Sequence, residues 1–229
     1  MAQVFHRSMN SVARITVFGL PLLFAGSVLG GTILYRSSYI TGERDVIDQP
    51  VPFSHKHHVG ELGIDCRYCH SSVETSAFAG IPPTKTCMNC HQQMWAGSEM
   101  LGVVRESYRL NQQIPWERVH NLPDYVYFNH SIHIAKGVGC YSCHGEVDQM
   151  NLTFQDHSLL MEWCIKSHRD PEGALRPREE VFSMTWKPEQ MTNPDTQKPY
   201  TQRELGKKLK PEHKVRDAIT LTSCSICHR

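Results

Sequence analysis

All nine cysteines of this 229-residue chain fall in one repeated spacing. Four units are complete: Cys66-Arg67-Tyr68-Cys69-His70, Cys87-Met88-Asn89-Cys90-His91, Cys140-Tyr141-Ser142-Cys143-His144 and Cys224-Ser225-Ile226-Cys227-His228. A fifth, Cys164-Ile165-Lys166-Ser167-His168, carries serine where the second cysteine stands elsewhere. Cys-x-x-Cys-His is the attachment signature of c-type haem: two thiols add across the vinyl groups and the adjacent histidine binds the iron. Zinc sites want four N/S ligands and have no need of a histidine directly after each Cys-x-x-Cys. A disulfide framework predicts varied spacings and an even number of cysteines. The reading is five covalently held haem c groups, the one at Cys164 and His168 singly tethered because of Ser167.

Five haems spread over residues 37–229 leave about 39 residues for each, little polypeptide per cofactor. Such a chain is expected to bury porphyrin faces instead of a large aliphatic core. Its many prolines and short apolar runs fit a mainly irregular and α fold with haem-carrying units. The net charge of +1 gives a nucleic-acid partner no electrostatic support.

Residues 15–35 contain no charged side chain. At about 1.5 Å per residue they cover roughly 30 Å, one bilayer core. Pro21 and the glycines within would weaken a soluble helix but are tolerated in membranes. A cleaved signal peptide has a shorter apolar region and an A-x-A-like site, for which Gly30-Gly31-Thr32 is a poor match. The expected organisation is a cytoplasmic N-terminus at 1–14 and a transmembrane anchor at 15–36. Arg7 and Arg14 precede the span and Arg36 follows it, which leans towards a cytoplasmic N-terminus. Haem c is attached outside the cytoplasm, so the expected location is the bacterial cytoplasmic membrane with the haem domain on the periplasmic side.

An internal repeat follows. Phe53-Ser54-His55-Lys56-His57-His58 precedes the first motif, and Phe128-Asn129-His130-Ser131-Ile132-His133 precedes the third. Each unit then reaches a second motif, which reads as dihaem units at 37–91 and 128–168 with a connector at 92–127. His70, His91, His144, His168 and His228 are the expected proximal ligands. The H-x-x-H pairs put two imidazoles near one face of a helical turn, so His55, His58, His130 and His133 are expected as distal ligands. His57 rivals His58, with only the repeat register against it. His120 is a further candidate, whereas His157 and His213 read as surface residues. Methionine is the alternative axial ligand and raises the potential, which keeps Met94, Met100, Met150 and Met161 in view for one haem. Residues 169–229, rich in charge and proline, read as an extended arm that lies on a partner and carries the fifth haem.

The anchor, the first dihaem segment and Val119-His120-Asn121-Leu122-Pro123-Asp124 together resemble the membrane-anchored pentahaem cytochrome subunit of alternative complex III. So do Phe128–His133 and Met161-Glu162-Trp163-Cys164. Ser167 departs from that pattern. The F-x-H-x-x-H element is shared with class III multihaem cytochromes, so class III-like dihaem units are expected. The resemblance implies an electron-transfer subunit, not itself an enzyme, of a quinol-oxidising membrane complex in respiration or photosynthesis. Its partners would be an iron–sulfur subunit, integral membrane quinol-binding subunits and a monohaem cytochrome or periplasmic carrier. A stand-alone quinol dehydrogenase cytochrome feeding a periplasmic reductase is the competing expectation. Such proteins place the first motif nearer the anchor than the 30 residues between Tyr35 and Cys66 here. A catalytic multihaem reductase would leave one iron open, yet the spare histidines suffice to close every one.

Overall fold

The computed structural model describes residues 4–228. The chain divides into an N-terminal unit ending at Glu43 and a second unit beginning at Arg44. The first unit is built on helix α1 (Met9–Tyr35), 27 residues long and apolar enough by length and composition to cross a membrane. The helix starts six residues before the uncharged stretch, so Arg14 lies within it. Its turn Ile15–Gly19 widens to π geometry. Pro21 explains this: without an N–H it cannot bond the carbonyl four residues back, and the ladder readjusts just ahead of it.

The second unit is helical and irregular. Among the described residues it holds isolated bridges, such as Val46 with Phe154 and Val138 with Leu175, and no named strand. Its helices are short: α2 (Cys66–Cys69), α3 (Thr84–His91), α4 (Gly102–Leu110), α5 (His130–Ala135), α6 (Tyr141–His144), α7 (Met161–Arg169), α8 (Gln202–Glu212), α9 (Ala218–Leu221) and α10 (Cys224–Cys227). Four of them are Cys-x-x-Cys-His segments and a fifth is the Cys164 segment. The helices of this unit therefore coincide largely with the cysteine–histidine segments.

Two small apolar clusters flank these segments. Val51, Val104 and Ile114 are buried together, with Cys87, Met88, Leu101 and Trp116 packed on them. The connector at 92–127 thus folds under the second motif through α4. A hydrogen bond between the Thr84 and Ser107 hydroxyls (2.7 Å) ties α4 to the start of α3. The other cluster joins Leu175, Trp186, Tyr200, Leu205 and Leu209.

That second cluster corrects the expectation of an extended arm, because residues 171–215 form a packed element with the deepest side chains of the unit. Leu175 and Leu205 are each 1 % exposed. Helix α8 opens on a capping box: the Thr201 hydroxyl accepts from the Glu204 N–H, and the Glu204 carboxylate accepts from the Thr201 N–H. Leu205 and Leu209, four apart, turn one face inward. Gly206 brings α8 against the turn at Pro171–Gly173, where a Cβ would strike the Glu172 carbonyl. The element also packs on the 128–168 segment, since the Cys140 N–H donates to the Val181 carbonyl (3.1 Å) and the Arg176 N–H to that of Gly137 (2.8 Å). His213 is buried at 6 % exposure, not a surface residue, and its Nδ1–H donates to the Lys136 carbonyl (3.0 Å).

Candidate haem-binding centre

The two F-x-H-x-x-H elements fold alike. Phe53 lies edge-on to His55 (4.9 Å between ring centres, 88°) and stacks on His58 (4.4 Å, 23°). Phe128 repeats both contacts with His130 (4.7 Å, 90°) and His133 (4.6 Å, 23°). Each phenylalanine wedges the two imidazoles of its pair apart in direction, so that they look towards different attachment segments. The local helices differ: His55 caps a π turn at Lys56–Glu61, whereas His130 begins α5, capped by the Asn129 side chain. The ring geometry is nonetheless the same.

Each histidine of the two pairs faces the histidine of an attachment segment. His55 and His70 are 6.5 Å apart with ring planes 7° from parallel, and His58 and His91 are 6.1 Å apart at 66°. His130 and His144 are 6.4 Å apart at 12°, and His133 and His168 are 6.2 Å apart at 29°. Imidazole nitrogens bind metals at about 2 Å, so two rings sharing one ion have centres roughly 6.3 Å apart. The four separations fit an iron held between two imidazoles.

The hydrogen bonds at the far nitrogens fit as well. The Nδ1–H groups of His70, His91, His168 and His228 donate to the carbonyls of Gly80 (2.7 Å), Met94 (3.0 Å), Leu221 (2.8 Å) and Tyr125 (3.1 Å). Those of His58, His130 and His133 donate to Ser54 (2.8 Å), Ala77 (2.8 Å) and Asn129 (2.7 Å). A carbonyl only accepts, so the proton is placed on Nδ1 and the Nε2 lone pair is left free for a metal. His55 uses the Thr153 hydroxyl instead (2.9 Å).

A ligand imidazole must be neutral, and burial enforces this. Burial first, then the neighbouring His70, His58 and His120, push the pKa of His55 down to about 4. Burial, with His120 and His130 adding, pushes His144 down to about 3. His58, His133 and His120 are lowered mainly by burial too. Burial raises the thiols of Cys140 and Cys143 to about 12 and about 11.

The remaining sequence candidates are placed as follows. His57 turns away from the attachment histidines: it meets the Glu61 carboxylate (2.9 Å) and stacks on Trp95 (5.8 Å, 15°). His157 stacks on Trp163 (4.9 Å, 27°). His120 lies against the edge of His144 (4.5 Å, 69°), too close for the two to share a metal, and its Nε2 is buried without a hydrogen-bond partner. His228 has Tyr125 beside its ring (5.7 Å). Met94, Met100 and Met161 are more than half exposed, while Met150 is buried. Cys164 and Ser167 sit on one helix, α7, with His168 facing His133. The anchoring carbonyls and Thr153 escaped the sequence reading. A backbone carbonyl leaves no mark on residue type, and Thr153 is 98 positions from His55.

Residues 51–105 match the family model of cytochrome c7 and related cytochrome c. The chain is also 37 % identical over 98 residues to the "menaquinone reductase, multiheme cytochrome c subunit" of Nitratidesulfovibrio vulgaris. That match covers 42 % of this chain and 46 % of the relative, so the chain spans less than half the length of the relative it matches. Residues 51–105, which hold the first H-x-x-H pair and the 66–70 and 87–91 segments, are thus similar to cytochrome c7 and related cytochrome c.

Proposed function

We propose that the chain is the electron-relay subunit of a membrane quinol-oxidising complex of the alternative complex III type. It would carry five haem c groups on the periplasmic side of a bacterial cytoplasmic membrane. The haems supply one-electron transfer; the chain sets their ligands, spacing and order. Proximal ligands are His70, His91, His144, His168 and His228. The distal ligands opposite the first four are His55, His58, His130 and His133, in that order. His120 is assigned to the fifth iron by exclusion, supported by its buried, unpartnered Nε2. Met94, Met100, Met150 and Met161 are the alternatives there. Thioethers come from Cys66, Cys69, Cys87, Cys90, Cys140, Cys143, Cys224 and Cys227, with Cys164 alone at the fourth position.

What supports a relay is that each attachment segment is tied to the next. The 87–91 and 66–70 segments share the His55–His58 turn, and Asn89 donates to the Tyr68 hydroxyl (3.1 Å). Residues 181–182 strap the 66–70 segment to the 140–144 segment: the Cys66 thiol lies 4.0 Å from the Phe182 carbonyl and the Cys140 N–H donates to Val181. Helix α5 aims His130 and His133 at the 140–144 and 164–168 segments. The Leu221 carbonyl, three residues before Cys224, holds His168. The proposed order is therefore 87–91, 66–70, 140–144, 164–168, 224–228. The single observation that carries the reading is the set of four facing histidine pairs at 6.1–6.5 Å.

Partners proposed from the resemblance are an iron–sulfur subunit as donor, integral subunits with the quinol site, and a monohaem cytochrome or periplasmic carrier as acceptor. The relative is named a subunit of a menaquinone reductase, which suits a role within a complex. The test is affinity purification of the tagged, haem-loaded chain from its own membranes, followed by addition of a menaquinol analogue. Co-purifying membrane and iron–sulfur subunits, with haem reduction that is lost when the chain is isolated, would support the proposal. Rapid reduction of the isolated chain by quinol would replace it with a stand-alone quinol dehydrogenase.

A further inference from the structure

We infer that residues 198–216, the exposed face of α8 with its flanking turns, form the docking surface of an acidic electron-transfer protein. The inference rests on the relay reading. It adds the exchange end, at the 164–168 and 224–228 segments, and the chemistry of the partner.

Charge is distributed unevenly along the chain. Residues 198–216 hold seven cations and two anions, whereas the other 210 residues hold 17 cations and 21 anions. A chain of net charge +1 thus concentrates its positive charge in one short stretch. The opposite end of the relay has no such bias: residues 84–110 carry Lys85, Arg105 and Arg109 against Glu99 and Glu106.

The fold then presents this charge outward. Leu205 and Leu209 hold the inner face of α8 in the core, which leaves Lys207 and Lys208 exposed on the outer face. Two cations are used internally, Arg203 with Asp170 and Lys210 with Glu172. Lys198, Lys207, Lys208, Lys214 and Arg216 remain exposed. Lys208 also lies over the Tyr200 ring (5.7 Å).

The surface is fixed beside the relay. Asp170, the partner of Arg203, follows His168 by two residues. Lys136, at the end of α5, donates to the carbonyls of His213 and Lys214 (3.0 Å each). Arg216 precedes the Asp217 cap of α9, whose Leu221 carbonyl holds His168. A partner of opposite charge seated here would meet the last two haems. One-sided fields of this kind raise association rates by about 10- to 1000-fold, and salt removes the gain.

The experiment uses the haem-loaded full chain, reduced, in stopped-flow mixing with an oxidised soluble acidic monohaem cytochrome c. A basic cytochrome c of mitochondrial type serves as control. Joint reversal of Lys207→Glu, Lys208→Glu, Lys214→Glu and Arg216→Glu should lower the second-order rate with the acidic protein at least tenfold at low ionic strength. Glutamine at the same four positions should give an intermediate loss, and salt should slow the wild type alike. The basic control should be unchanged or faster. A reversal variant within twofold of wild type would overturn the inference. So would a loss of rate that appears only when the chain is embedded in anionic phosphatidylglycerol vesicles and not in neutral phosphatidylcholine ones, which would make the surface lipid-facing. A pyridine haemochrome assay accompanies every variant: fewer than five haems in the wild type counts against the relay reading, whereas unchanged rates at full haem content count against the surface.

Discussion

His55 and His70 face each other across 6.5 Å with ring planes 7° apart, although 15 positions separate them in the chain. His130 and His144 repeat the relationship at 6.4 Å and 12°. The duplication seen in sequence is thus a duplication of ring geometry, and Phe53 and Phe128 pack against both imidazoles of their pairs in the same way.

The first prediction separates His58 from its neighbour His57. His58→Ala removes the imidazole opposite His91, so one ferrous haem in five should bind carbon monoxide. His57→Ala removes a Glu61 contact and a Trp95 stack and should leave the ligation intact. Carbon monoxide difference spectra of the two reduced variants check this. The same signal in both, or in neither, would be wrong for the assignment.

The second concerns the wedge. Phe53→Ala deletes a stack on His58 and an edge contact with His55, each aromatic contact contributing about 0.5–1.5 kcal/mol beyond area burial. With Phe53 half-buried, a loss of about 1–3 kcal/mol is expected, below that of a full core truncation. Low-temperature EPR should show a broadened spread of axial-ring orientations for two haems, with the other signals unchanged. Phe128→Ala should do the same for the pair at His130 and His133.

These two predictions mark how far the sequence could be read. The H-x-x-H pairs, their phenylalanines and the attachment segments were all visible, because residue identity at a fixed spacing carries the chemistry. The choice of His58 over His57 rests on repeat register; in the fold His58 lies 6.1 Å from His91, whereas His57 meets Glu61 and Trp95. Residues 169–229 read in sequence as an extended arm, whereas 171–215 pack around Leu175, Leu205 and Leu209. Their helix signals were present but short: the capping box Thr201-Gln202-Arg203-Glu204 and Leu205 with Leu209. The proline content outweighed them, although Pro171 and Pro188 only open single 3-10 turns and Pro211 sits in the last turn of α8. The carbonyls of Gly80, Ala77 and Leu221 that orient imidazoles were illegible in principle, since any residue offers one.

The third prediction is chemical. Formation of a thioether adds a cysteine S–H across a vinyl double bond, with sulfur to one carbon and hydrogen to the other. Cys164→Ser should therefore release one haem in five from covalent attachment, while Ser167→Cys should add a second thioether and shift the pyridine haemochrome band to shorter wavelength. Denaturing extraction followed by spectroscopy reads both. Full covalent retention in Cys164→Ser would contradict the single tether.

Acid supplies the fourth. His55 has a folded pKa of about 4 and His144 about 3, both below the ordinary histidine value of about 6.5. A group with a depressed folded pKa binds protons more readily in the unfolded chain, so its stabilising contribution is present above pH 6.5 and is lost as pH falls towards 4. Competition between protons and iron for the same nitrogens acts in the same direction. The denaturant midpoint should fall steadily between pH 7 and pH 4, with high-spin haem bands appearing only near the acid end. A midpoint flat across that range would argue against buried neutral imidazoles.

Five haems on one chain can be counted from the intact mass of the purified full-length protein under denaturing conditions. One dominant species is expected, the polypeptide plus five haem groups, reduced to four by Cys164→Ser and unchanged in mass increment by His120→Ala. A wild-type species with four haems or fewer would break the proposed relay at the 164–168 segment.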